Sequence, residues 1–139
     1  MKPLLFLMFS LTALITFGQQ PTNPSITSKD KGQLLDSIFP IDNIIRVKVT
    51  NINGTHLLTT TELTELKRQL KQAIFAGGLL IKPGHIILDI TLKDNTIVKS
   101  GFVYASTGKI HFDGGLDKSK QTFSGTFNLP TQLNFDNYK

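Results

Sequence analysis

The stretch from residue 85 to residue 104 constrains the fold more than any other part of the chain. It reads HIILDITLKDNTIVKSGFVY, in which apolar and polar residues alternate on both sides of a short polar break. Alternation with a period of two is typical of a β-strand with one buried face, and two such runs around a polar loop predict an antiparallel hairpin. We therefore expect the chain to be organised around an antiparallel sheet.

The length of the hairpin loop decides which residues face each other. A two-residue turn would place Ile90 opposite Lys99 and would bury a lysine in the core. A loop one residue longer places Ile90 opposite Val98, and it places Asp89 opposite Lys99 on the wetter face, where the two could form an ion pair. The sequence therefore predicts the three-residue loop, with Asn95 in the left-handed conformation.

One helix is predicted before this hairpin, over about residues 61–76. Thr59 and Glu62 have the spacing of a capping box, in which each side chain binds the backbone N–H of the other residue. Apolar residues then recur with a period near 3.6, which predicts that one side of the helix packs on the sheet; they are Leu63, Leu66, Leu70, Ala73 and Ile74. Gly77 and Gly78 are predicted to end the helix.

A second hairpin is predicted before the helix. Residues 44–52 alternate like a strand, with Ile45, Val47 and Val49 on the inward face. Asn-Gly at 53–54 predicts a type I′ turn, because both central positions of that turn need a positive φ angle. This turn would place Leu58 opposite Val49.

Two more strands are expected near the C-terminus, at 110–112 and 122–129, separated by a glycine-rich loop at 113–120. The predicted order is β-β-α-β-β-β-β, which is an α+β fold with one antiparallel sheet of about five to six strands and one helix on one face. The alternation also places three apolar residues on the face away from the helix: Ile87, Ile97 and Val103. Sheet curvature over a small second core, a short helix predicted near residues 34–39, or a docking partner would account for them, and we take them as the candidate interaction surface.

Residues 1–18 resemble a secretory signal peptide. One lysine precedes an apolar core of about 14 residues, which is shorter than the roughly 20 needed to span a bilayer. We expect cleavage after Gly18 or one residue later, with an uncleaved N-terminal anchor as the alternative. The predicted organisation is a signal peptide (1–18), a flexible linker (19–33) and one α+β domain (34–139), with no membrane span in the mature chain.

The composition limits the class of exported protein to which this chain can belong. The chain has no cysteine, so it cannot be a lipoprotein anchored through an N-terminal cysteine or a disulfide-bonded scaffold. The formal net charge is +5, but the basic residues are scattered, which is typical of a solvated surface and does not indicate nucleic-acid binding. We expect an exported bacterial protein, either periplasmic or secreted.

The sequence offers no recognisable catalytic constellation. His56, His85 and His111 match no metal-binding spacing, and the two glutamates, Glu62 and Glu65, are explained by helix capping and helix polarity. We therefore expect no cofactor and no metal. The leading hypothesis is a small exported binding or inhibitor-like module that engages an envelope or extracellular protein. The alternatives are an accessory envelope domain without a ligand and, with less support, a hydrolase. The sequence leaves the oligomeric state open.

Overall fold

The computed structural model describes residues 32–77, 86–104 and 108–132, without the side chains of residues 101–104. The predicted signal peptide, residues 19–31 of the predicted linker and the C-terminal residues 133–139 lie outside this part. The described elements are α1 (Leu35–Ile38), a 3₁₀ turn (Ile41–Asn43), β1 (Ile44–Asn51), β2 (Gly54–Leu57), α2 (Thr60–Lys71), β3 (Ile74–Gly77), β4 (Ile86–Leu92), β5 (Ile97–Tyr104), β6 (Lys109–Leu116) and β7 (Thr122–Asn128).

The strands form one antiparallel sheet in the order β2-β1-β4-β5-β6-β7-β3. We call the face that carries the core the inner face, and the opposite face the outer face. Leu66 and Leu70 of α2 are buried in the same cluster as the inner-face residues of the sheet. The expected α+β fold with a single helix on an antiparallel sheet is therefore confirmed, but the sheet has seven described strands where five to six were predicted.

The central hairpin, β4 and β5, has the predicted register. Ile90 lies opposite Val98, Asp89 lies opposite Lys99, and Asn95 has a φ angle of 64° in the loop. Asp89 lies between Lys99 of β5 and Lys48 of β1, and its carboxylate forms an ion pair with Lys48 at 2.8 Å. Burial of the inner face fixes the register, because a slip of one residue would expose every core side chain of the strand.

The helix begins as predicted but ends early. The Thr59 hydroxyl accepts the N–H of Glu62 at 3.4 Å, and the Glu62 carboxylate accepts the N–H of Thr59 at 2.7 Å, so the capping box is present. The expected helical continuation to residue 76 is wrong, because the helix stops at Lys71 and Ile74–Gly77 forms β3 at a sheet edge. Phe75 becomes part of the core in the strand, where it packs against Phe127 of β7 with ring centroids 5.5 Å apart.

The turn of the first hairpin differs from the predicted one. Asn51 lies opposite Gly54, so residues 52–53 form the loop and Val49 faces His56 rather than Leu58. The side-chain oxygen of Asn51 accepts the N–H of Asn53 at 2.8 Å, and Asn53 does not adopt the positive φ angle that a type I′ turn requires. A type I turn favours asparagine at its first position and glycine at its fourth, which Asn51 and Gly54 occupy here. The Asn-Gly pair at 53–54 had instead suggested a type I′ turn.

The first half of the predicted glycine-rich loop at 113–120 is strand. β6 runs to Leu116, and the register shifts between Phe112 and Gly115, where Gly114 has a φ angle of 74°. A β-bulge therefore absorbs the glycines without ending the strand. The turn itself is short, and the Asp117 carboxylate orders it by accepting the N–H groups of Ser119 and Gln121, both at 2.8 Å.

Candidate functional site

The structure places two of the three predicted surface residues on the outer face of the central hairpin. Ile87 is 48 % exposed and Ile97 is 59 % exposed. Val103 lies on β5 at a position of the same parity, but its side chain is outside the described part of the chain. The inner-face residues of the same two strands are almost completely buried, so the two faces of the hairpin differ clearly in exposure.

A third isoleucine joins this face from β1. The alternation predicted that Ile45 points inward with Val47, which is wrong. The register shifts between Ile44 and Arg46, so Ile44 takes the inner position and Ile45 is left 48 % exposed. The bulge depends on pairing with β4, a strand more than forty positions away, so the local sequence carried no signal for it.

Basic side chains surround these isoleucines. Lys48, Asp89 and Lys99 lie side by side across β1, β4 and β5 on the outer face, and Arg46 lies in the neighbouring row opposite Thr91. We call the set Ile45, Ile87, Ile97, Arg46, Lys48 and Lys99 the outer-face patch. Among the described outer-face residues of these three strands, three are cationic and one is acidic, so the patch combines apolar area with a net positive charge.

The histidine at the start of the helix belongs to a structural cluster. The Nε2 of His56 lies 3.2 Å from Glu62 Oε2, and the same carboxylate oxygen accepts hydrogen bonds from the backbone N–H and the hydroxyl of Thr59. These contacts complete the N-terminal cap of α2. Helix capping therefore accounts for the shared carboxylate oxygen of Glu62 in this cluster.

His111 lies on the outer face of β6 and is 8 % exposed. Its Nδ1 is 2.9 Å from the hydroxyl of Thr126 on β7. Burial lowers the pKa of His111, although the charge of Asp113 acts in the opposite direction. Over residues 32–77, 86–104 and 108–132, no group of three His, Cys, Asp or Glu side chains could hold a metal ion, so His111 has no partner set for metal chemistry.

A small cleft lies where the tips of two hairpins meet the 3₁₀ turn. It comprises neighbouring cavities of about 150 and 210 Å³, which Pro40, Asn43 and Lys118 line in common. Lys120 forms an ion pair with Asp94, and this lysine, together with Thr96, lowers the pKa of Asp94 to about 2. The carboxylates of Asp94 and Asp117 at the hairpin tips are therefore engaged in holding the loops.

Comparison with known protein families, with characterised proteins and with solved structures finds no match to this chain. In the part of the chain that the structure describes, neither helix is long and apolar enough to cross a membrane. The function must therefore be inferred from the surface itself.

Proposed function

We propose that this chain is a small exported module that binds a protein through the outer-face patch. Three isoleucines, each about half exposed, lie on one face of three adjacent strands, and the charged row of Lys48, Asp89 and Lys99 lies between Ile87 and Ile97. This combination of exposed apolar and charged side chains on one face carries the proposal. The core does not require them, because α2 and the inner face already bury the apolar side chains of the fold. Export rests on the apolar leader at residues 1–18.

The charges of the patch indicate the chemistry of the partner. Lys48 is neutralised by Asp89, whereas Arg46 and Lys99 extend from the same face into solvent. A surface that combines isoleucine with unneutralised cations fits a partner with acidic groups around an apolar centre, since complementary charge speeds encounter and buried apolar area slows dissociation. The partner we infer is therefore an acidic envelope or extracellular protein.

Affinity capture with matched variants tests this proposal. Ile97→Glu places a negative charge in the patch, and Ile74→Glu makes the same change at a comparably exposed outer-face site on β3, 45 % exposed and at the far edge of the sheet. We expect a stoichiometric protein to be recovered with the wild type and with Ile74→Glu, and at least tenfold less of it with Ile97→Glu. Recovery should also fall as salt rises, because charge steering is screened.

Two outcomes would overturn the proposal. Equal capture by both variants would show that the patch is not the binding surface. No stoichiometric protein in any sample would leave the accessory-domain hypothesis in its place. Circular dichroism of each variant ensures that a lost partner does not reflect a lost fold.

A further inference from the structure

The two edges of the sheet differ in whether other described residues of the chain pair with the edge strand. At the β3 edge, residues at the start of α1 and just before it cover the strand. The N–H of Leu35 donates to the carbonyl of Ala73 and the N–H of Phe75 donates to the carbonyl of Gln33, both at 2.8 Å. At the other edge, no described residue pairs with the outer side of β2. Among the described residues, one edge is therefore closed by the chain itself and the other is open.

The register shows which backbone groups are exposed at the open edge. The N–H of Leu58 donates to the carbonyl of Val47 at 3.0 Å. Backbone groups of a strand alternate in direction, so His56 faces β1 in the same way, whereas the N–H and C=O groups of Thr55 and Leu57 point away from the sheet. The open edge thus presents two donors and two acceptors in the pattern of an unfinished antiparallel ladder.

β2 is only four residues long, and a short strand by itself limits edge-to-edge pairing. It lacks the other common protections, which are lysines, prolines and bulges. Its residues are Gly54, Thr55, His56 and Leu57, and its pairing with β1 is regular. The imidazole of His56 is turned to the inner face, where it contacts Glu62. Leu57, 54 % exposed, stands on the outer face beside the edge.

We propose that β2 pairs antiparallel with β2 of a second copy of this chain, joining two sheets across a two-fold axis. A second copy is the fitting occupant because the exposed pattern is self-complementary: Thr55 of each copy can exchange both backbone hydrogen bonds with Leu57 of the other. About four backbone bonds result, and the two leucines become partly covered. The outer-face patch lies on β1, β4 and β5 and stays accessible in such a dimer.

The dimer should be weak, since a contact along four residues buries less than the roughly 1,000 Å² of a stable interface. Sedimentation equilibrium of the full chain, as recovered from an expressing cell, tests it over about 10 µM to 1 mM protein. The average mass is expected to rise with concentration towards twice the monomer mass. Leu57→Lys puts a charge at the edge and is expected to weaken association at least tenfold.

Matched variants distinguish this edge from other contacts. Ile87→Lys makes the same kind of change on a central strand and is expected to leave association unchanged. Thr55→Pro removes an N–H that β1 does not use, so it should weaken association while circular dichroism stays native. In the wild type, the Thr55 and Leu57 amides should gain protection from hydrogen exchange at high concentration.

A monomer throughout the concentration range would overturn the proposal. So would a dimer that Leu57→Lys leaves intact, or association without added protection of the Thr55 and Leu57 amides. None of these results bears on the binding proposed for the outer-face patch, which Ile97→Glu tests separately.

Discussion

Gly125 of β7 is a position where one added methyl group should lower the stability of the fold. A Cβ atom there would lie 2.7 Å from Cε2 and 3.3 Å from Cδ2 of Phe75, and 3.5 Å from Cε2 of Phe127. Non-bonded carbons are at their optimum about 3.5–4.0 Å apart, so the Phe75 ring would have to move by roughly 1 Å. The ring is 4 % exposed and packs edge-on against Phe127, so a shift of this size disturbs the aromatic cluster.

The expected cost of Gly125→Ala follows from two opposing effects. Overpacking of a filled core costs about 1–3 kcal/mol. Replacing a glycine restricts the unfolded chain and returns about 0.4–1 kcal/mol, because the φ angle of Gly125 is not positive and the backbone accepts an alanine. The net loss in free energy of unfolding should be about 1–2 kcal/mol, which lowers the melting temperature by roughly 4–15 °C in a chain of this size.

A double-mutant cycle isolates the contact. Phe75→Leu removes the ring atoms nearest to the added methyl group, so Gly125→Ala should cost at least about 1 kcal/mol less in that background than in the wild type. Urea unfolding followed by far-ultraviolet circular dichroism gives the four free energies. If the alanine cost is equal in both backgrounds, the Phe75 ring is not the obstacle and the packing account is wrong.

Four further predictions concern other parts of the chain. Gln69 is 1 % exposed and donates to Glu65 at 2.8 Å, so Gln69→Leu should lower the free energy of unfolding by about 1–3 kcal/mol in urea titrations. Burial lowers the pKa of His111, so the unfolded chain takes up the proton first as the pH falls below about 6.5, and the free energy of unfolding declines. His111→Gln should reduce this decline between about pH 7.5 and about pH 5. Leu70 is fully buried, so Leu70→Asp should abolish the native circular dichroism spectrum, whereas Thr64→Asp at an exposed position of the same helix should not. N-terminal sequencing of the exported protein should begin at Gln19 or one residue later, and a retained leader would contradict the signal-peptide hypothesis.

The parts of the fold that sequence predicted correctly depend on short-range rules. The capping box at Thr59 needs only its neighbour three residues on, and it is present. The β4–β5 register follows from two alternating runs and the loop between them, since any other parity exposes the core. Such features are decided within about twenty residues, so the local sequence contains enough information to specify them.

The parts that sequence missed depend on distant partners. Residues 73–76 fit the helical stripe, but they also alternate between buried and exposed, with Ala73 and Phe75 buried. The choice between helix and strand is made by pairing with β7, about fifty positions later, because only the strand brings Phe75 against Phe127. The bulges at Ile45 and Gly114 likewise appear only when the neighbouring strand is in place. The alternation therefore predicted the outward orientation of Ile87 and Ile97 on the central hairpin, but not the exposure of Ile45 on β1.

The sheet buries its inner face under the helix and only parts of its outer face, such as His111 and Thr126, and this limits how the exposed surface can be interpreted. The exposed part of the outer face needs residues that tolerate water, and threonine would satisfy β-propensity there at no cost in solubility. The outer-face patch instead carries three isoleucines, and the open edge at β2 carries a leucine without a protecting charge. At the opposite edge the same chain covers its strand with Gln33 and Leu35. Exposed apolar area and unpaired strand edges both favour aggregation when no partner covers them. The described residues close one edge of the sheet and leave the other edge open beside an apolar, basic face. This asymmetry is what the two proposed association surfaces would require.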